Sequence, residues 1–141
     1  MRYLIVTVSF VCSLFVASAH AFDENLEFMN VTLPLGWSVA ESDADHVVFE
    51  TRNQEASFVY KKVPVHYVTL ETYSRALMKA YVGYNFKKRT ESIYYFEYLH
   101  GDKRAWTLVT YFKGRKDTFA IQTGIGESSD FISIMESIEL K

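Results

Sequence analysis

Residues Ser92–Thr123 read SIYYFEYLHGDKRAWTLVTYFKGRKDTFAIQT. Three runs rich in aromatic and β-branched residues are separated by His100-Gly101-Asp102-Lys103 and by Lys113-Gly114-Arg115-Lys116-Asp117. Period-two alternation broken by glycine turns predicts an antiparallel three-stranded meander. In the middle run, Trp106, Leu108, Thr110 and Phe112 alternate with Ala105, Thr107, Val109 and Tyr111. In the first run, Tyr94, Phe96 and Tyr98 oppose Ile93, Tyr95, Glu97 and Leu99. That run is apolar on both sides. Either it is central and covered twice, or it presents a tyrosine face to a partner.

Upstream, Val31–Pro34, Trp37–Glu41, His46–Thr51 and Ala56–Val63 read as short strands, punctuated by Pro34-Leu35-Gly36, Ser42-Asp43-Ala44-Asp45 and Asn53-Gln54-Glu55. Phe22–Asn30 reads as an acidic lead and Asn85–Thr90 as a basic connection. Between Pro64 and Gly83, Tyr73, Ala76, Leu77, Ala80 and Tyr81 form one apolar stripe at the helical period. Thr69 is its N-cap, Glu71 favours its dipole, and Gly83 is its natural stop. Phe131, Ile134, Met135 and Ile138 form a second stripe after the cap cluster Ser128-Ser129-Asp130. The fold expected is α+β: an antiparallel sheet with a C-terminal meander, covered by two amphipathic helices.

The chain has 141 residues. Arg2, the uncharged run Leu4–Val16 and the small-residue site Ala19-His20-Ala21 predict a cleaved signal peptide over residues 1–21. The apolar run is shorter than the ~20 residues that span a bilayer, so no stable membrane anchor is expected after cleavage. Residues 22–141 then form a single domain in the periplasm or outside the cell. The lone Cys12 leaves with the leader. The remaining chain must hold itself by its core rather than by disulfides.

Removing Arg2 from 15 Lys+Arg leaves 14 against 17 Asp+Glu, a net charge of −3. That balance argues against nucleic acid as a partner. Phe22–Glu50 carries seven acids and no Lys or Arg, whereas Thr51–Lys116 carries thirteen bases and five acids. The two tracts either pair loosely or polarise the surface toward a charged partner.

The chemistry of catalysis is thinly represented. His46, His66 and His100 stand apart, and none belongs to a zinc-binding spacing. Asp43, Asp45 and His46 form the one dense ligand-like cluster and read as a polar turn. Asp43-x-Asp45 lacks the glycine and distant glutamate of a calcium loop. There is no Gly-x-Ser-x-Gly elbow, and Gly124-x-Gly126 is too short for a dinucleotide loop. No catalytic residue, metal or cofactor is therefore expected. The binding candidates are Tyr94, Tyr98 and Tyr111 on one sheet face, rimmed by Lys87, Lys88, Arg89, Lys103 and Arg104. Tyrosine and arginine dominate binding hot spots.

Leu33-Pro34-Leu35-Gly36-Trp37, Thr69-Leu70-Glu71-Thr72-Tyr73 and Phe131–Ile138 occur in an order that resembles the superfamily of PsbP, DcrB and LpqN-like proteins. The resemblance implies an α/β/α sandwich and an exported accessory role without catalysis. The leading expectation is thus an exported, non-enzymatic protein that binds another protein, as a toxin-immunity or complex-assembly factor. The alternative is a small-ligand carrier with an aromatic pocket between sheet and helix. A hydrolase would need a histidine within hydrogen-bond reach of a serine or carboxylate inside a cleft.

Overall fold

Period-two alternation governs most of the chain. The computed structural model describes residues 21–141, of which 57% lie in strands and 15% in helices. That content makes the molecule mostly β. Ten strands run Ala21–Asn25 (β1), Met29–Pro34 (β2), Trp37–Ser42 (β3), His46–Thr51 (β4), Ser57–Pro64 (β5), Tyr84–Thr90 (β6), Ile93–His100 (β7), Lys103–Phe112 (β8), Arg115–Ile125 (β9) and Glu139–Leu140 (β10). The described residues also form two helices, Leu70–Ala80 (α1) and Phe131–Ser137 (α2). The predicted leader lies outside the described residues except for Ala21, which pairs with Pro34. Among the described residues no helix is long and apolar enough to cross a membrane.

The strands form two antiparallel sheets, one of three in the order β1-β2-β10 and one of seven in the order β3-β4-β5-β9-β8-β7-β6. After β5 the chain crosses through α1 to the far edge, then returns through β6, β7 and β8 until β9 closes on β5. The predicted meander β7-β8-β9 is present, and its register puts Tyr94 opposite Val109 and Thr107 opposite Thr123.

The two-helix cover of an α/β/α sandwich is not what forms. One face of the large sheet carries the small sheet and α2, with Met29, Val31, Leu33, Phe131 and Ile134 packed on Val47, Phe49, Phe58 and Ala120. The other face carries α1 alone, packed on Tyr94, Phe96, Val109 and Phe119 through Leu70, Tyr73, Leu77 and Met78. The physical reason lies in the polar segments. Ala21–Asn25 carries two acids and is mostly exposed, yet its backbone pairs with β2 along its whole length. Asn85–Thr90, read as a connection, is an edge strand whose lysines and arginine suit an unpaired edge.

Helix α1 is rotated from its predicted stripe. Ala76 and Ala80 are exposed, while Ser74 is fully buried and donates its hydroxyl to the Leu70 carbonyl at 2.7 Å. A serine satisfied within its own helix can face the core. The predicted N-cap holds, since the Thr69 hydroxyl accepts from the Thr72 amide. The predicted stop is displaced by one residue. Val82, not Gly83, takes the left-handed conformation at φ 53°. Gly83 serves a different purpose, because a Cβ there would come within 2.9 Å of the Phe96 ring and 2.8 Å of Met78.

Candidate functional site

The eight predicted binding residues do not form one surface. Tyr94 and Tyr98 are 3% and 7% exposed, with their rings under α1 and the turn that follows it. Tyr98 lies 4.8 Å from the Tyr81 ring, and Tyr94 lies 5.8 Å from Phe86. Tyr111 shares their face but packs on Phe119. The Tyr94 and Tyr111 rings are committed to the core beneath α1, whereas Tyr98 keeps an edge on the concavity beyond the end of α1. The basic residues divide between faces and ends. Lys88 stays near the Tyr94 ring and pairs with Glu91 at 3.0 Å. Lys87 pairs in register with Tyr95 on the other face, and Arg89 lies 4.7 Å from the Tyr95 ring. Lys103 and Arg104 sit at the opposite end of β7, facing His100 and Leu99, and the Lys103 ammonium donates to the Gln54 carbonyl.

A larger concavity lies where α1 stops. Helix α1 packs over β6, β7, β8 and the Phe119 end of β9, which leaves β4 and the neighbouring stretches of β5 and β9 open on that face. The result is a trough of about 530 Å³, within the range of small-molecule sites. Register fixes its floor. Val48, Val59 and Thr123 form one cross-strand row, and His46, Lys61 and Ile121 form the next. Ile125 lies beyond, beside Tyr98, Tyr81, His100 and Gly101. The trough therefore has an aliphatic middle, an aromatic end and a charged end. Beneath it, the Thr107 and Thr123 hydroxyls bond to each other at 3.0 Å, so neither side chain is left unpaired.

The charged end is built by the β3–β4 hairpin. The Asp43 carboxylate accepts the amides of Asp45 and His46 at 2.8 and 2.9 Å, an Asx turn that tightens the hairpin. Those backbone donors, with His46 beside them, hold the Asp43 carboxyl below its usual range. His46 stands between two acids, Nε2 at 2.8 Å from Glu41 and Nδ1 at 2.8 Å from Asp43. Both ring nitrogens donate only when both are protonated. The hydrogen bond to Glu41, aided by the charge of Asp43, accordingly raises the His46 pKa. With each ring nitrogen within hydrogen-bond distance of a carboxylate, His46 offers no free nitrogen to the trough. Its two carboxylates approach opposite sides of the ring and do not converge on one ion, and no metal-binding group is found among the described residues.

The remaining polar groups of the trough are freer. The Lys61 ammonium and the His100 ring have no hydrogen-bond or ion-pair partner among the described residues. Burial of the Tyr98 ring pushes its pKa up to about 12, so its hydroxyl stays protonated. His66 lies outside the trough, exposed in the loop before α1.

A smaller cleft of about 330 Å³ opens on the other face, between the sheet and α2. Arg89, Tyr95, Trp106, Leu108, Ile132 and Met135 line it, and Ile132 is 67% exposed. The alternation of Ile93–His100 announced a two-sided strand, but the bare ring is Tyr95 rather than Tyr94 or Tyr98. The trough could not be read from sequence, because it depends on β5 pairing with the distant β9. The only local signal for it was the Asp43-Ala44-Asp45-His46 turn. No protein-family model, curated protein or solved structure matches this chain.

Proposed function

We propose that this protein is an exported, non-catalytic carrier that binds a small apolar or amphiphilic molecule in the trough beside α1. The observation that carries the reading is the 530 Å³ concavity over the sheet beyond the end of α1, aliphatic in its middle and aromatic at one end. The engagement of both His46 nitrogens supports binding over acid–base chemistry. The reading predicts that a neutral naphthylamine fluorophore brightens on the protein. Val59 is half-buried in the floor, so Val59→Trp fills open space rather than the core. That variant should abolish the signal, whereas Ile132→Ser on the other face should leave it intact. Equal brightening with Val59→Trp would overturn the assignment.

A second reading, a protein-binding accessory or immunity factor, draws support from the other cleft. There Arg89 stacks over Tyr95 beside the exposed Ile132, the residue types that anchor protein contacts. It predicts that a stable complex recovered from the exported fraction is lost with Arg89→Ala and Ile132→Ser but survives Val59→Trp.

A further inference from the structure

The trough is polarised along a diagonal, and that polarity specifies its ligand. Lys61 rises from β5 between His46 and Ile121, at one end. Tyr98 rises from β7 opposite Ala105, which is itself opposite Ile125 and, through it, Ser57. Four residues of strand therefore separate the two ends along β5, roughly 13 Å at ~3.3 Å per residue. Three interstrand spacings separate β5 from β7, roughly 14 Å at ~4.8 Å each. The two ends thus lie roughly 19 Å apart on the diagonal, and Val59, Thr123 and Ile125 line the ground between them, with Val48 beside Val59.

Charge differs between the ends. Of the two acids that flank His46 at 2.8 Å, only Glu41 lines the trough, and its carboxylate is engaged by the His46 ring. Lys61, the cross-strand neighbour of His46, carries a positive charge with no ion pair among the described residues. The far end offers Tyr81, Tyr98 and His100, without a lysine or arginine in the lining. A chain laid along this diagonal meets one cation, then aliphatic side chains, then rings.

Resting on the carrier reading above, we infer that the trough selects a linear aliphatic monocarboxylate, its carboxylate on the Lys61 ammonium and its chain on Val48, Val59, Thr123 and Ile125. A charge-assisted hydrogen bond to a single carboxylate favours the acid over the matched alcohol by about tenfold or more. Burial of each further methylene favours longer chains up to the length of the trough.

The test is calorimetric titration of the chain freed of its predicted leader, residues 22–141, with laurate and with dodecanol below their aggregation limits. Wild type is expected to bind both, laurate about tenfold or more tighter. Lys61 is exposed, so Lys61→Met should fold normally and should bind the two ligands alike, at the affinity of wild type for dodecanol. Val59→Trp should lose both. Equal affinity of wild type for acid and alcohol, or an undiminished preference in Lys61→Met, overturns the carboxylate assignment and leaves the carrier reading standing. Absence of binding by either ligand, or undiminished binding by Val59→Trp, overturns both.

Discussion

Val82 holds a conformation that its side chain resists. It is β-branched, sits at φ 53°, and is 85% exposed. The position is forced by the close of α1, where the Gly83 amide donates to the Met78 carbonyl and the Val82 amide to the Lys79 carbonyl. This is the helix end that usually carries glycine. A non-glycine residue there costs of order 1–3 kcal/mol. Val82→Gly should therefore raise stability by roughly 1 kcal/mol, read as a higher urea midpoint at unchanged slope. Gly83 cannot exchange roles with it, since Phe96 and Met78 occupy the space a side chain would need.

His46 makes a second prediction at this scale. Its folded pKa is raised by Glu41 and then by Asp43. A raised pKa means that the folded state holds the proton more tightly than the unfolded chain. The stabilisation is fully present below the ordinary value of ~6.5 and is lost as pH rises through the higher folded value. Denaturation midpoints should fall across that window in wild type. In His46→Gln they should be flat there, and a matching fall in the variant would refute the assignment.

At the scale of elements, helix α1 separates what alternation reveals from what it hides. Its start is legible, since Thr69 caps it as its chemistry demands, whereas its stop falls on Val82 rather than Gly83. Its buried face is not legible either, because Ser74 is polar by type yet satisfied by the Leu70 carbonyl and fully buried. The face runs through Leu70, Tyr73, Ser74, Leu77 and Met78, not through Ala76 and Ala80. Leu70→Ala should cost about 2–4 kcal/mol, whereas Ala76→Glu should stay within about 0.5 kcal/mol; chemical denaturation of both variants checks the pair. The strands tell the same story. β7, β8 and β9 were readable because apolar alternation and glycine turns coincide. β1, β6 and β10 were not, because a polar strand is made by its neighbour's backbone rather than by its own side chains.

For the whole molecule, the decisive fact is the long-range pairing of β5 with β9. It puts the acidic hairpin Glu41–Asp45 and the basic strand Lys87–Arg89 toward opposite edges of the seven-stranded sheet. The charge polarity seen along the chain thus becomes a polarity across the molecule. The same closure leaves α1 too short to roof the face it crosses, and the uncovered half is the trough. A sequence reading that places aromatic residues on one face cannot tell how far one helix reaches over them. That is why Tyr94 and Tyr98 were singled out for binding although the structure uses them as core.

Ligand is expected on the α1 side of the sheet, in the open ground over β4 and the neighbouring stretches of β5 and β9. Backbone amide shifts of the isotope-labelled protein during a laurate titration report this residue by residue. The account predicts saturable shifts at Val48, Val59, Lys61, Ile121 and Ile125, with Tyr95, Leu108 and Ile132 unmoved. Shifts centred on Tyr95 and Ile132, or none at all, would contradict it.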